Sequence, residues 1–281
     1  MTRAPWSVPK PSDGFPTGKW DMFDTSLGWR YPNPALAALF PLEQMGETAE
    51  NVAQKWNISR ADQDAFALSS HKKAVAAAAE GRFQAELMPV AIPSKKGPST
   101  SFECDEGPRA DTTLERLSTL KPAFRDAGCV TAGNSSTLND GACAVLVMSE
   151  KALEKYGKAP LARYVSSGAA GVDPRFMGIG PVPASQKALA RAQWKATDVD
   201  LWELNEAFAA QSLACMRELG LDAGNVNVNG GAIALGHPLG MSGARLLGTL
   251  AHTLNARDLK RGVATLCIGV GQGLAVALET P

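Results

Sequence analysis

The chain has no net charge and no long apolar run. Its 28 lysines and arginines are balanced by 28 aspartates and glutamates, which gives a formal net charge of zero over 281 residues. A neutral protein lacks the positive field that draws nucleic acids or anionic membranes to a surface. The longest strongly apolar run, residues 142–148, is far shorter than the roughly 20 residues that a membrane-spanning helix needs. We therefore expect no nucleic-acid partner and no membrane partner.

Cysteine is also sparse, and its pattern excludes two classes of site. The five cysteines are scattered, odd in number and without any C-x-x-C pair. We expect reduced thiols and neither a disulfide framework nor a zinc site, which is typical of cytoplasmic proteins. Residues 1–10 contain no apolar segment of the kind found in secretory signals. The sequence thus predicts a cytoplasmic protein without a bound metal.

What is present is the composition of an ordinary globular protein. Apolar residues make up 45% of the chain and charged residues 20%, and the length corresponds to about two domains. Residues 5–45 are rich in proline and glycine, which favours irregular structure. The same stretch carries aromatic side chains that we expect to anchor it to a surface. These are Trp6, Phe15, Trp20, Phe23, Trp29 and Tyr31.

The first half of the chain is predicted to alternate between loops and a few helices. Ser59 and Asp62 form a capping box that opens a helix ending near Gly81. Other helices are expected at 47–56 and 150–156, with loop-like structure over 89–127. Residues 141–148, Gly-Ala-Cys-Ala-Val-Leu-Val-Met, have the composition of a fully buried strand.

From residue 159 onward, strands and helices alternate, which is typical of a layered α/β domain. The pattern predicts strands at 161–166, 199–204, 262–268 and 274–279, a short extended piece at 225–229, and helices at 183–194, 209–219 and 240–255. The strand starting at Gly273 resembles the one starting at Gly141, but only the later copy completes a βαβαβ series. We interpret this as a duplicated fold of which one copy is incomplete.

Three reactive side chains stand next to glycine-rich turns at the ends of predicted strands, where α/β folds build their sites. His237 opens a helix, whose N-terminus favours a neutral imidazole. Cys267 meets a Gly-x-Gly-x-Gly turn, where we expect partial exposure and a lowered thiol pKa. Asn205 could hold a water or a substrate oxygen. Structural roles are the alternatives: a satisfied histidine, a buried cysteine, and an asparagine that caps the next helix.

The remaining two histidines carry no such context. His71 and His252 lie in the middle of predicted helices beside polar neighbours, and we expect both to be solvated. The other spacings of glycine lack the context of a nucleotide-binding loop.

Several of these segments, taken together, resemble the thiolase family of acyl-CoA C-acyltransferases. The matching motifs are Asn-Glu-Ala-Phe at 205–208, Asn-Val-Asn-Gly-Gly-Ala-Ile-Ala-Leu-Gly-His-Pro at 227–238 and Cys-Ile-Gly at 267–269, supported by Met-Gly-Glu-Thr-Ala-Glu-Asn-Val at 45–52 and by residues 131–141. The ketoacyl synthases, which share the fold, typically have a second histidine where this chain has Cys267.

The resemblance implies a role for each matching residue. His237 would activate a nucleophilic cysteine and help to polarise the thioester oxygen, and Cys267 would exchange a proton with the substrate α-carbon or the CoA sulfur. Asn205 would fix a water in a first oxyanion hole, and the backbone N–H of Gly269 would contribute to a second. Two residues would bind CoA and two would line the acyl pocket: Arg109 and Ser136, and Met177 and Ala207. Coenzyme A is then a substrate, with no permanently bound cofactor.

The resemblance also leads us to expect an incomplete chain. Residue 1 resembles an internal family segment downstream of the nucleophilic cysteine, and Cys104, Cys129, Cys143 and Cys215 do not match the nucleophile motif. The expected fold is a thiolase-like layered α/β structure with a complete βαβαβαββ C-terminal domain and most of the N-terminal domain absent. The expected divisions are an N-terminal remnant at 1–9, a CoA-binding loop domain at 10–137, the last strand and helix of the N-terminal domain at 138–158, and the C-terminal domain at 159–281.

The expected activity is thiolysis of 3-ketoacyl-CoA or the reverse condensation of acyl-CoA units, as in fatty acid metabolism and β-oxidation. Family members form homo-oligomers. Two alternatives stay open from the sequence: a non-catalytic CoA-binding or subunit-interaction protein, and an inactive fragment.

Overall fold

The computed structural model describes residues 1–11, 14, 17–26, 28–95 and 97–281, so Phe15 lies outside the described residues. Its helices are α1 Pro34–Leu39, α2 Met45–Lys55, α3 Arg60–Ala79, α4 Leu114–Ser118, α5 Glu150–Tyr156, α6 Pro181–Ala192, α7 Ala209–Leu219, α8 Ala232–Leu235 and α9 Ser242–Ala256. Its strands are β1 Trp6–Ser7, β2 Phe23–Asp24, β3 Val90–Ile92, β4 Thr100–Phe102, β5 Arg163–Gly171, β6 Leu201–Leu204, β7 Arg261–Ile268 and β8 Gln272–Glu279. Short 3-10 turns occupy Pro174–Ile179, Ala196–Asp198 and Ala223–Asn225.

The largest sheet has the order β5-β8-β7-β6. Strand β8 pairs antiparallel with both β5 and β7, whereas β6 and β7 run parallel. The strand predicted at 225–229 is reduced to one bridge between Val226 and Trp202. Asn227 explains why: its side-chain amide accepts from the backbone N–H of Leu204 and donates to the Leu204 carbonyl, both at 2.8 Å. A side chain thus occupies the backbone groups that a further strand would have used, so the βαβαβαββ prediction is wrong at this strand.

Helices cover both faces of this sheet, as the alternating pattern predicts. On one face, α6 packs against the sheet through small side chains such as Ala184 and Ala188, and α7 adds Cys215 and Met216 to the same buried cluster. On the other face, α9 presents Leu246, Leu250 and Leu254, which follow one another at the four-residue spacing of a helix stripe and are almost completely buried. Burying one such leucine contributes about 1.5–3 kcal/mol.

The long helix α3 begins at the predicted capping box. The Ser59 hydroxyl accepts from the backbone N–H of Asp62 at 3.1 Å, and the Asp62 carboxylate accepts from the backbone N–H of Ser59. Ala67 of α3 packs with Ile233. The solvated position predicted for His71 is wrong, because the loop around Arg109 covers the ring and buries it.

The prediction of a buried strand at 141–148 is wrong. These residues are irregular, and the side chains of Leu146 and Val147 are 81% and 86% exposed. An apolar sequence becomes a strand only where another strand offers hydrogen bonds, and none of the described strands pairs with this segment. The next prediction is confirmed: α5 ends at Gly157, whose φ of 58° lies in the left-handed region that favours glycine.

The loop segments hold more regular structure than predicted. Residues 89–127 contain the β3–β4 hairpin and α4. In the region 5–45, Trp29 is partly buried and donates from its indole N–H to the Glu43 carbonyl at 2.9 Å. Trp6, Trp20 and Tyr31 are 64%, 56% and 46% exposed, so the prediction that they anchor this region is wrong. No helix among the described residues combines the length and apolar character that crossing a membrane requires.

Candidate active site

The carboxyl ends of β6 and β7 bring Asn205 and Cys267 to the same edge of the sheet. Asn205 follows directly after β6, and its backbone N–H donates to the Thr265 carbonyl of β7 at 3.0 Å. Cys267 lies two residues further along β7. Because β6 and β7 are parallel, both chains deliver their side chains at the edge where α/β sheets place their sites.

His237 reaches this edge from the turn between α8 and α9. Helix α8 ends at Leu235, and Gly236 reverses the chain with a φ of 93°; a side chain there would also collide with Asn139. The backbone N–H of His237 donates to the Thr137 carbonyl at 3.1 Å. Its Nε2 lies 3.3 Å from the Asn205 amide nitrogen. His237 and Asn205, two of the predicted site residues, are therefore in direct contact.

Burial keeps both titratable groups of the site uncharged. Desolvation and then the nearby Arg245 cation lower the pKa of His237 to about 4. Cys267 is 6% exposed, and burial raises the pKa of its thiol to about 12. The expected partial exposure and lowered pKa of Cys267 are wrong, because Cys267 belongs to a buried apolar cluster with Met177 and Ala207.

Met177, Ala207 and Cys267 form one buried apolar cluster, with Phe208 at its margin. Ala207 stands only two residues after Asn205. The short segment 205–208 therefore contacts His237 at one end and the Cys267 cluster at the other. This arrangement joins a neutral imidazole, a neutral thiol and an apolar wall in one region.

Gly269 begins the three-residue turn that connects β7 to β8. It is half-buried, and the position that a Cβ would take lies 3.9 Å from the Met45 thioether. The next residue, Val270, has a φ of 67°, a left-handed conformation that is rare for a β-branched side chain. Strained backbone of this kind costs about 1–3 kcal/mol and clusters at functional sites.

The two residues expected to bind CoA have different neighbours. The backbone N–H of Ser136 donates to the Ala207 carbonyl at 3.0 Å, so Ser136 borders the acyl wall. Arg109 lines a cavity of about 360 Å³ together with His71, Arg116 and Thr137. Thr137 also holds the backbone of His237, which connects this cavity to the site.

Two further residues that contact the candidate site were missed by sequence reasoning, although Glu206 stands inside the quoted segment 205–208 and Ser242 lies four residues after the segment 227–238. Glu206 is buried, and its carboxylate accepts from the Ser70 hydroxyl, the Asn227 amide and the backbone N–H of Ile233. It thereby ties α3 to the turn that leads to His237. Ser242, at the start of α9, lies with its hydroxyl oxygen 2.6 Å from His237 Nδ1. The five-residue spacing from His237 to Ser242 across a helix start was the available signal.

The other four cysteines make no contact with His237 among the hydrogen bonds of the described residues. Cys104 and Cys143 are exposed. The Cys129 thiol donates to Glu50 at 3.2 Å, and the Cys215 thiol donates to the Gly178 carbonyl at 3.3 Å. Burial raises the pKa of both thiols. Within the described ranges, no group of three or more histidine, cysteine or acidic side chains is arranged to hold a metal ion.

An imidazole, an amide and a thiol gathered beside an apolar wall at the end of an α/β sheet define a site suited to acyl transfer. Two family models match this chain: "Thiolase, N-terminal domain" over residues 1–151 and "Thiolase, C-terminal domain" over residues 158–280. The chain belongs to the thiolase family and is an acyltransferase.

Relatives agree along nearly the whole chain. It is 52% identical to the acetyl-CoA acetyltransferase of Pseudomonas aeruginosa over 278 residues, which is 99% of this chain and 70% of that protein. It is also 52% identical to the β-ketoadipyl-CoA thiolase of the same organism, again covering 99% of this chain and 70% of the relative. The crystal structure of human mitochondrial 3-ketoacyl-CoA thiolase in complex with CoA matches with a TM-score of 0.87 and 43% identity, covering 100% of this chain and 68% of that one.

These matches correct one expectation about the fold. The N-terminal thiolase domain is not absent, because its family model matches residues 1–151 and the solved structures match 99–100% of the chain. The matches also do not show that the chain is truncated or that the nucleophilic cysteine is missing.

Proposed function

We propose that the chain transfers acyl groups between acyl-CoA and CoA, by thiolysis of 3-ketoacyl-CoA or by the reverse condensation. The observation that carries this proposal is the contact between His237 and Asn205 beside the buried Cys267. The relatives named as acetyl-CoA acetyltransferase and β-ketoadipyl-CoA thiolase support the same reaction class.

In this proposal His237 is the base that activates the attacking cysteine thiol. A ring with a pKa of about 4 is neutral at pH 7 and can accept the thiol proton without first losing one. The thiolate then attacks the carbonyl carbon of the substrate, and oxygen becomes negative. The N–H that His237 has gained can donate to this oxygen.

Cys267 supplies the second proton transfer. In thiolysis the bond between the α-carbon and the keto carbon breaks, and its electron pair leaves with the acetyl-CoA unit. That carbon needs a proton, which the Cys267 thiol can give because its raised pKa keeps it protonated at pH 7. The CoA thiol that next attacks the acyl-enzyme returns a proton to the Cys267 sulfur, and the departing cysteine thiolate takes back the proton that His237 holds, so the cycle closes.

Two oxyanion sites fit the described residues. The side-chain oxygen of Asn205 is buried and has no hydrogen-bond partner in the described part of the chain. An unpartnered buried oxygen is costly, and a water bound there would satisfy it while donating to a substrate oxygen. The backbone N–H of Gly269 in the strained turn is the proposed donor of the second site.

Substrate recognition is proposed for four residues. Met177 and Ala207 would line the acyl pocket through the apolar wall that they form with Cys267. Arg109 and Ser136 would bind CoA. The Arg109 guanidinium takes part in none of the ion pairs found among the described residues and is available to meet phosphate oxygens or stack on an adenine. We further propose a cytoplasmic homo-oligomer with a CoA-binding loop domain at 10–137 and a C-terminal domain at 159–281, residues 1–9 and 138–158 belonging to the N-terminal domain.

The test is acylation of the full chain by acetyl-CoA, followed by intact mass and peptide mapping, together with a thiolysis assay on a 3-ketoacyl-CoA. We expect turnover and one acetyl group on one cysteine other than Cys267 and Cys104, which the peptide mapping identifies. The variant His237→Gln should lose both. The variant Cys267→Ala should keep acetylation but lose thiolysis about 10²- to 10⁴-fold, because Cys267 acts on the α-carbon. The exposed Cys104→Ala is the matched control and should behave as wild type.

Binding of CoA with neither adduct nor turnover would overturn the proposal and favour a non-catalytic CoA-binding protein.

A further inference from the structure

The hydroxyl of Ser242 lies between the His237 ring and the backbone of the turn that carries it. Its oxygen is 2.6 Å from His237 Nδ1 and 3.0 Å from the Pro238 carbonyl oxygen. Ser242 is 1% exposed, so water does not compete for these contacts. A serine hydroxyl has a single hydrogen, and a carbonyl oxygen can only accept.

These contacts determine which ring nitrogen carries the proton. If the hydroxyl hydrogen is donated to Pro238, the Ser242 oxygen must accept from His237, so Nδ1 is protonated. The other side of the ring requires the same state. His237 Nε2 faces the Asn205 amide nitrogen at 3.3 Å, which is a donor, so Nε2 must carry the lone pair. Two neighbours on opposite edges of the ring thus select one tautomer.

We propose that Ser242 is a positioning residue that holds neutral His237 in the Nδ1-protonated tautomer, so that Nε2 is the free base of the site. The tautomer itself is inferred from the contacts of the ring; only the catalytic role of Nε2 rests on the proposed function. Ser242 itself does not touch the reacting atoms.

The fold explains why a serine occupies this position. Ser242 is the first residue of α9, and the backbone N–H groups of Met241 and Ser242 both donate to the Pro238 carbonyl at 2.9 and 3.0 Å. This tight turn folds the chain back over His237 and brings the two side chains together across five residues. A hydroxyl also differs from a carboxylate in this position: it orients the ring without adding the negative charge that would make the ring a stronger base.

The direct test is the ring nitrogen spectrum of the full chain labelled with ¹⁵N-histidine. The chain has three histidines, and the signals absent from the His237→Gln variant belong to His237. The expected result is a protonated Nδ1 and an unprotonated Nε2 in the wild type. In Ser242→Ala the two nitrogens should shift toward averaged values, and Ser242→Thr should restore the wild-type pattern because it keeps the hydroxyl.

Two controls separate positioning from general damage. The unchanged signals of His71 and His252 would show that Ser242→Ala is folded. Ser185→Ala removes another buried hydroxyl, one with no hydrogen-bond partner in the described residues, and should leave the His237 nitrogens unchanged. A protonated Nε2 in the wild type, or a His237 spectrum that is identical in Ser242→Ala, would overturn the proposal.

Kinetics give the second readout. Ser242→Ala should lower kcat for thiolysis about 10- to 100-fold with little change in KM, a part of the 10²- to 10⁴-fold that a general base provides. Ser242→Thr should recover most of it. The nitrogen spectrum does not depend on turnover, so a chain that lacks thiolysis but shows the expected tautomer would contradict the proposed function and support this inference.

Discussion

At the scale of single residues, burial shifts the two titratable groups of the site in opposite directions and leaves both neutral. The pKa of His237 falls and that of Cys267 rises, since a low-dielectric environment penalises whichever form is charged. The Arg245 cation lowers the pKa of His237 further, although Arg245 also forms an ion pair with Glu203, in which Nη1 lies 2.9 Å from Oε2. The proton transfers of the reaction therefore begin from an uncharged pair.

This state predicts how activity and stability depend on pH. Because the base must be neutral, the acid limb of kcat/KM for thiolysis should lie near pH 4 and not near 6.5, the ordinary histidine value. Between pH 6.5 and 4 the unfolded chain binds a proton at this position that the folded chain does not. The contribution of His237 to stability is therefore complete above pH 6.5 and decreases as the pH falls toward 4.

Urea unfolding at several pH values measures this contribution. His237→Gln should lose part of the stability decrease between pH 6.5 and 4, and His252→Gln is the matched control. An acid limb near pH 6.5 together with identical pH dependence in His237→Gln would contradict the prediction.

Residue types near glycine-rich turns were enough to predict that His237, Asn205 and Cys267 lie at strand ends and turns, because such features can be read locally. Their environments could not be read in this way. Cys267 is covered by Met177, which is distant in sequence, and His71 by the loop around Arg109. Ser242 was not predicted, because its contact with His237 depends on the geometry of the turn between them, which residue types alone do not reveal.

At the scale of elements, two glycines of the C-terminal region should respond oppositely to alanine. A Cβ at Gly231 would overlap the carboxylate of Glu206, which holds the turn before His237. A Cβ at Gly248, inside helix α9, meets no atom within 4 Å. We expect Gly231→Ala to destabilise the chain by about 1–3 kcal/mol through overpacking. We expect Gly248→Ala to stabilise it by about 0.5–1 kcal/mol, since alanine favours the helix.

Urea midpoints with unchanged m-values would measure both effects, and thiolysis should fall only in Gly231→Ala. Equal stability of the two variants would contradict the prediction and show that the Glu206 side chain moves to make room for the extra methyl group.

Elements with local signals were predicted well, and those that need distant partners were not. The capping box at Ser59 and the left-handed Gly157 set helix ends through hydrogen bonds within a few residues. The segment 141–148 has the composition of a buried strand, but composition cannot supply the neighbouring strand that its backbone requires. At 225–229 the side chain of Asn227 forms the hydrogen bonds to the Leu204 backbone that a neighbouring strand would otherwise form. The hydrophobic pattern of the sequence cannot reveal such a contact.

At the scale of the whole molecule, the layered α/β architecture followed from the alternation of strands and helices. The order β5-β8-β7-β6 did not, since a periodic pattern contains no information about which strand lies beside which. The expectation of an absent N-terminal domain was drawn from motif positions. The match of that domain to residues 1–151 corrects it, because a domain is defined by its whole sequence pattern and not by one motif.

The exposed apolar segment 141–148 predicts a property of the molecule in solution. Leu146 and Val147 stand almost fully in water, and Val145 is 46% exposed beside them. Contiguous apolar surface of this kind favours association. We expect the wild type to bind ANS and to sediment faster as its concentration rises, and Leu146→Ser with Val147→Ser to reduce both effects without changing the far-UV spectrum. Leu39→Ser, a 74% exposed leucine in α1, is the matched control and should change neither. A wild type that stays monomeric at all concentrations and silent to ANS would mean that these side chains pack against the protein in solution.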